Sequence, residues 1–432
     1  MPTFPPTQLA QWLNTPWNKT PTSPCTGIST DTRTLQPGNL YIALKGEQFD
    51  GHKFIEQAFQ KGALGAVVEN DSAATSSLPI LSVPNTLTAL QQLAAAYRKT
   101  WNTPVIGLSG SVGKTMTKEM LAAIFSEAGK THATPGNLNN HIGLPLSILS
   151  APPDLQYSIF EIGINHPGEM HPLAQILQPN LAFLTHLAAA HIEYFSSIKE
   201  IAQEKGQLLA AVPASGTVFL DPDDPWFSTL RPLIQAKIRT LGFNKKADYS
   251  AEIKNSTLCV NGHSYPMPLP GKHVMHNALR AIATALELGL TPSLIAQGLL
   301  QTKLPPMRWE RSEINGIQFI NDAYNANPLS MRANLQTFAE IPTKGKKWVV
   351  LGGMRELGKT THQEHLELLR FARSLALDGL LTVGELFPNT SPSTPAEAAK
   401  QLKKQLRPGD LVLLKASRGE HLENLLKHFK EL

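Results

Sequence analysis

Nine consecutive residues, Gly107-Leu108-Ser109-Gly110-Ser111-Val112-Gly113-Lys114-Thr115, combine small side chains, one lysine and one hydroxyl in the order that holds a polyphosphate. Small residues let backbone N–H groups turn into a cradle for phosphate oxygens, and a helix that starts there adds partial positive charge. On this reading Gly110, Ser111 and Gly113 shape the cradle, Lys114 reaches the β- and γ-phosphates, and the Thr115 hydroxyl ligates Mg²⁺. The strict spacing would place glycine at 108, where this chain has leucine. The rival is a chance Gly/Ser-rich turn. It is disfavoured because an apolar strand over 105–108 precedes the loop, and a helix with Met120, Leu121, Ile124 and Ala128 on one face follows it. An ATP or GTP site with magnesium is expected.

Other residues could serve such a site, each with a plainer alternative. Glu161 ends an apolar strand over 157–162, where ligands gather in parallel sheets; otherwise it is a solvated carboxylate. His191 follows the strand-like run 181–184, and a lone histidine is more often packed or at the surface. Lys205 sits in a helical segment, 198–211, where composition alone suggests a solvated lysine. Asn137, Asn139 and Asn140 form a polar loop that could equally be a turn and helix cap.

The elements that must position these residues follow from pattern and length. At roughly 150 residues per domain, 432 residues suggest about three domains. Residues 1–84 mix short strand signals with one helical segment and read as a small α/β domain. From 85 to 304, strands alternating with helices predict a doubly wound parallel sheet of P-loop type. Leu304-Pro305-Pro306 marks a boundary, beyond which four apolar strands near Ile317, Val349, Leu381 and Val412 predict a Rossmann-like unit over 305–432. No internal repeat is visible, and the Pro-rich start is the only low-complexity stretch.

Composition narrows the function classes. Apolar residues make up 42% and charged residues 17%, which excludes wholesale disorder. Two cysteines, Cys25 and Cys259, cannot form a disulfide framework and suit a reducing cytosol. Apolar runs stop well short of the roughly 18 residues that span a bilayer, and the start lacks a signal-peptide pattern. A cytoplasmic protein without membrane insertion is expected. The net charge of +5 could attract nucleic acid or a small phosphorylated substrate, but no basic stripe interleaved with aromatics favours the former.

Read together, these segments resemble the Mur ligases, the ATP-dependent amide-forming family of peptidoglycan assembly. The family's loop has the Gly110-x-x-Gly113-Lys114-Thr115 spacing without the first glycine. The likeness extends in order through Asp31-Thr32-Arg33, Leu44-Lys45-Gly46-Glu47, Phe49-Asp50-Gly51-His52, Gly136-Asn137-Leu138-Asn139-Asn140, Glu161-Ile162-Gly163, Ala190-His191-Ile192-Glu193 and Glu204-Lys205-Gly206. It continues with Asp322-Ala323-Tyr324-Asn325-Ala326-Asn327-Pro328, Gly353-Met354-Arg355-Glu356-Leu357-Gly358, His365 and Lys415-Ala416-Ser417-Arg418-Gly419. Within the family, the Asp322–Pro328 stretch and the Met354–Gly358 stretch are similar to the last ligase of the cytoplasmic series. That member joins D-alanyl-D-alanine to a UDP-N-acetylmuramoyl-tripeptide, which would be the two partners here.

The resemblance implies a role for each matched residue. Glu161 and His191 would bind Mg²⁺ beside Thr115, and Lys205, carbamoylated by CO₂, would ligate a second ion; Lys114, His191 and Lys205 would form the catalytic set. A carbamate needs some free amine, so a lowered pKa is expected at Lys205. Asn277, Arg308 and Asp322 would hold ATP with the loop, the arginine on phosphate; an Arg308–Asp322 ion pair at the hinge is the plainer reading. Family members usually carry Asn where this chain has Val274, so base recognition would lean on Asn277. Asp31, Arg33, Lys45 and Gly46 would clamp the UDP portion, with Asn137, Asn139 and Asn140 on the sugar and peptide side. Asn325, Asn327, Lys415, Ser417 and Arg418 would face the incoming dipeptide, and a Lys/Arg pair could pin its carboxylate. A monomer whose last domain swings on residues 304–308 is expected. The rivals are another Mur-type or folylpolyglutamate-type ligase, and a regulatory protein that only binds or hydrolyses ATP.

Overall fold

A computed structural model describes residues 2–70, 77–254, 257–387, 392 and 394–432. Three sheets follow one another along the chain. The first has order β1-β2-β3-β4, all parallel: β1 (Ile28–Ser29), β2 (Leu40–Ile42), β3 (Gly65–Glu69) and β4 (Ile80–Val83). Its inner residues point alternately to two clusters. Tyr41, Ala66, Val68 and Ile80 pack under the Ile55–Gln60 helix, whereas Leu40, Ile42, Val67 and Leu81 join the main core of the chain. Leu9 and Leu13 of a helix over Pro6–Leu13 in the Pro-rich start, and Phe4 just before it, also enter that core. Composition hid this helix because Pro6 sits at its first turn, where no amide needs an intrahelical partner.

The central sheet has nine strands: β5 (Val105–Ser109), β6 (Thr131–Ala133), β7 (Tyr157–Glu161), β8 (Leu181–Leu184), β9 (Thr217–Leu220), β10 (Lys237–Gly242), β11 (Tyr249–Lys254), β12 (Thr257–Val260) and β13 (His263–Tyr265). Their order is β13-β12-β11-β10-β9-β8-β5-β7-β6, parallel from β6 to β11 and antiparallel beyond. Both faces are covered: Val105, Phe160, Ala182 and Val218 feed one cluster, and Ile106, Ile159, Phe183 and Phe219 the other. The strand order reverses at β5, so β7 and β8 leave its two sides and open a crevice beyond its carboxyl end. The phosphate loop occupies that position.

The last sheet has order β14-β15-β18-β16-β17: β14 (Glu310–Ile314), β15 (Ile317–Asp322), β16 (Lys347–Gly352), β17 (Gly379–Val383) and β18 (Leu411–Lys415). Four strands are parallel, as the apolar runs predict. β14 adds an antiparallel edge through a turn with Asn315 and Gly316 both at positive φ. Its residues, Glu-Arg-Ser-Glu-Ile, are mostly exposed, so no hydrophobic pattern announced it. Among the described residues, no helix is long and apolar enough to cross a membrane.

Candidate active site

The loop begins where β5 ends. Leu108 is wholly buried in the ladder, registered with Glu161 on β7 and Phe183 on β8, so the position of the missing glycine belongs to the strand and needs no conformational freedom. The glycines that matter come next. Gly110 has φ +144, and a Cβ there would lie 2.0 Å from Thr185 Oγ1; Gly113 has φ +90, and its Cβ would lie 2.4 Å from Asn277 Oδ1. Asn277 therefore packs directly on the phosphate loop, and Val274 one turn earlier is buried in the apolar cluster.

One expectation needs correction. The Ser111 and Val112 amides do not line the cradle, because both donate to His186 O, at 2.8 and 3.1 Å. Phosphate must be met instead by the first-turn amides of the Lys114–Ala128 helix, which no helix can satisfy internally. The Lys114 ammonium donates to Gly110 O at 2.8 Å, folded back over the loop as a cation awaiting a stronger partner. Desolvation lowers its pKa, opposed by Glu161 and aided by Arg308.

Around this loop lies a cleft of about 530 Å³ formed by the central and last sheets. Ser111, Gly113, Lys114, Thr115, Asn137, Asn139, Asn140, Glu161, His191 and Asn277 line it from the central side, and Arg308, Asp322, Asn325, Asn327 and Lys415 from the other. The sequence-predicted residues that line it are thus drawn from two units about 200 residues apart in the chain.

The metal candidates are half assembled. Glu161, 2% exposed, accepts from Asn139 Nδ2 at 2.8 Å through Oε1, and its buried Oε2 has no hydrogen-bond partner. An orphaned buried carboxylate oxygen in the cleft that Thr115 also lines suits a hard cation that prefers oxygen ligands. His191 has φ +58 and places Nδ1 2.5 Å from Glu356 Oε2 of the last unit. No group of three or more His, Cys, Asp or Glu residues is poised for a metal among the described residues, so an ion held here needs ligands beyond those side chains.

Lys205 is 2% exposed on the Ile198–Ala210 helix. Its pKa falls well below the usual lysine value, first through desolvation and then through the Lys114 charge; Glu204 and Glu169 oppose this weakly. The solvated-lysine alternative is thereby overturned, since a solvated side chain would be exposed.

The far wall departs from the expected pairing. Arg308 stacks on Tyr324, with its guanidinium carbon 4.2 Å from the ring centroid, while Asp322 pairs with Lys415 at 2.6 Å. The hinge pair Arg308–Asp322 is not formed. Asp322 and Lys415 are register partners on adjacent parallel strands, which fixes their meeting. Asp322 also accepts from Trp309 N at 2.9 Å and contacts Asn334 Nδ2. The Lys415 ammonium bonds further to Asn325 O at 2.7 Å, so it is fully engaged and is not free to pin a carboxylate in this conformation. Ser417 and Arg418 do not line the cleft: Ser417 Oγ accepts from Arg355 N at 3.0 Å, and Arg418 pairs with Glu423 at 3.0 Å.

Asn140 and Asn327 carry cap roles as well. Asn140 Oδ1 accepts from Ile142 N and Gly143 N, and Asn327 forms a capping box with Ser330. Asp31, Arg33, Lys45 and Gly46 lie outside the cleft, beyond the carboxyl ends of β1 and β2. There Asp31 and Arg33 form an exposed ion pair at 2.7 Å. Tyr324, Trp309 and Asn334 escaped the sequence reading of the site; Asn334, seven residues from Asn327, falls on the same helix face, a spacing that could have found it.

The arrangement of a phosphate loop facing a second wall is matched by comparison with known proteins. Residues 24–98 match the model "Mur ligase family, catalytic domain", 108–285 the "Mur ligase middle domain" and 307–418 the "Mur ligase, glutamate ligase domain". The UDP-N-acetylmuramoyl-tripeptide–D-alanyl-D-alanine ligase of Bacillus subtilis is 36% identical over 94% of this chain and 93% of its own. The chain belongs to the Mur ligase family. Solved Mur ligases superpose over all or nearly all of its length. MurF from Acinetobacter baumannii has a TM-score of 0.90 at 30% identity, covering 100% of both chains. MurF from Thermotoga maritima, in complex with ADP, has 0.82 at 25% identity, covering 94% of this chain and 97% of that one. The three-domain α/β architecture expected of a Mur ligase is therefore present.

Proposed function

We propose that this Mur ligase joins D-alanyl-D-alanine to UDP-N-acetylmuramoyl-tripeptide at the expense of ATP, in the cytoplasmic assembly of peptidoglycan precursors. The observation that carries the reading is the composite cleft, where a triphosphate on Lys114 would face Asn137 and Asn139 on one side and Arg308, Asn325 and Asn327 on the other. The relative from Bacillus subtilis, named for this reaction, matches almost the whole chain.

The chemistry suits the residues. A carboxylate is a poor acyl donor because attack must expel an oxide. One of its oxygens attacks the γ-phosphorus, ADP leaves, and the acid becomes an acyl phosphate. The neutral amine of the dipeptide adds to the carbonyl carbon; phosphate departs with the bridging oxygen, and the amine proton passes to solvent or base. Three anionic groups must be brought together, so cations and positioning dominate. Lys114 and Arg308 supply the positive charge, and the Lys114–Ala128 helix aims its N-terminus at phosphate.

Thr115, Glu161 and His191 would hold Mg²⁺, and Lys205 as a carbamate would add a ligand. Bound magnesium would supply charge neutralisation between the phosphates. The low pKa of Lys205 supports carbamoylation, because the free amine is what reacts with CO₂. Asp31, Arg33, Lys45 and Gly46 are assigned to the UDP end, set apart from the reacting carboxylate by the length of the nucleotide-sugar. Asn325 and Asn327 are assigned to the incoming dipeptide; with Lys415 engaged by Asp322, its carboxylate is left to another cation. We divide the chain into units 1–84, 85–304 and 305–432, each holding one sheet, and take it to act as a monomer.

Phosphate release tests the assignment. It should require ATP, the nucleotide-tripeptide and D-alanyl-D-alanine together. Release with single amino acids in place of the dipeptide would point to another ligase of the family, and release without either acceptor to an ATPase.

A further inference from the structure

Lys118 is 1% exposed on the Lys114–Ala128 helix, and the reaction outlined above makes no use of it. Burying an ammonium costs several kcal/mol unless its protons are matched, so a position serving only to pack would carry an apolar side chain. The charge is matched here. The ammonium pairs with Glu119 Oε1 at 2.8 Å and donates to Thr134 O at 2.8 Å and, more weakly, to Gly136 O at 3.5 Å.

Those two carbonyls flank the turn at which β6 gives way to the acceptor loop. Pro135, Gly136 and Asn137 are exposed, and a Cβ on Gly136 would find nothing within 4 Å, so the turn is barely packed from outside. It is held from beneath. Thr134 Oγ1 accepts from Glu161 N at 3.0 Å, Glu161 Oε1 accepts from Asn139 Nδ2 at 2.8 Å, and Asn139 O accepts from Gly163 N at 2.9 Å. A continuous chain of bonds thus runs from Lys118 through Thr134 and Glu161 to Asn139.

Lys114 and Lys118 stand four residues apart, on one helix face and about 6 Å apart along the axis. One reaches the phosphate loop and the other the acceptor loop. We propose that Lys118 is a positioning residue that fixes the Asn137–Asn139 loop, and with it the acceptor carboxylate, at a set distance from the γ-phosphate. This deepens the function proposed above and rests on it.

Steady-state kinetics on Lys118→Met, alongside ATP binding by calorimetry, tests this. The expected result is a tenfold or greater fall in kcat and a rise in KM for UDP-N-acetylmuramoyl-tripeptide, with ATP affinity within twofold of wild type. A merely structural lysine would weaken both substrates together or neither. If Lys118→Met does not fold, Thr134→Val carries the test, since it cuts the chain at the Glu161 amide and should show the same split. Unchanged kinetics in a folded variant, or equal losses for both substrates, would overturn the proposal. A wild-type protein that forms no amide would instead defeat the function reading, and this inference with it.

Discussion

His191 of the central unit and Glu356 of the last unit meet with Nδ1 2.5 Å from Oε2, and both residues hold positive φ, +58 and +62. Two non-glycine residues in the left-handed region carry a conformational cost of order 1 kcal/mol each. That cost is met by what the bends achieve: Glu193 N donates to Glu356 O, and Gly358 packs against Glu193. The contact joins the two walls of the cleft at a residue assigned to the metal. It holds the Glu356 carboxyl below its usual pKa, chiefly through the adjacent His191 ring.

Glu356→Gln keeps the shape of the side chain and removes its charge. The walls should dock less firmly, with kcat falling about tenfold, equivalent to about 1.4 kcal/mol. Small-angle scattering should show a larger radius of gyration than wild type in the presence of ATP analogue and nucleotide-tripeptide.

Lys205 should take up CO₂. With ¹³C-bicarbonate, a carbamate carbon resonance should be present in wild type and missing in Lys205→Arg, whose guanidinium cannot form it. Because burial lowers the amine pKa, the free-amine fraction at a given pH exceeds that of a solvated lysine and rises with pH up to the folded-state value. The initial rate of uptake should rise over the same range. Lys205→Arg should lose at least 100-fold in turnover.

His273 provides a pH-dependent element of stability. It is half-buried, and desolvation depresses its pKa to about 4, against about 6.5 unfolded. As pH falls below 6.5 the unfolded chain binds the proton first, so stability is lost between about 6.5 and 4 and is constant below. With solvent screening, the loss from pH 7 to pH 5 should be about 1 kcal/mol. Chemical denaturation at the two pH values measures it, and His273→Asn should abolish that share of the difference.

Breaking the Lys415–Asp322 pair tests the far wall. Lys415 is 3% exposed, and removing one partner of a buried pair strands the other charge. Lys415→Met should lose about 3 kcal/mol in urea unfolding, and the double variant with Asp322→Asn should recover part of that loss.

Much of this was readable from residue order. The phosphate loop declared itself because an apolar strand and an amphipathic helix bracket it, and both lie where periodicity put them, over Val105–Ser109 and Lys114–Ala128. Glu161 was legible as a strand end for the same reason. Side-chain partners were not legible. Which carboxylate Lys415 meets depends on β15 lying beside β18 in register, a pairing across about 90 residues that no local pattern encodes. Likewise the loss of the Ser111 and Val112 amides to His186 depends on the path of the chain after β8. Lys205 reads as solvated in a helical sequence and is buried in the fold, since a lysine's burial is set by the elements packed over it.

Phosphorylation of the acceptor's own carboxylate is the step on which every assigned role depends, and isotope transfer measures it directly. UDP-N-acetylmuramoyl-tripeptide labelled with ¹⁸O in its terminal carboxylate would be incubated with ATP, magnesium, D-alanyl-D-alanine and the protein, and the released phosphate weighed. One ¹⁸O per phosphate is predicted, carried over in the bridging position of the acyl phosphate. Phosphate without ¹⁸O, its fourth oxygen taken from water, would contradict it.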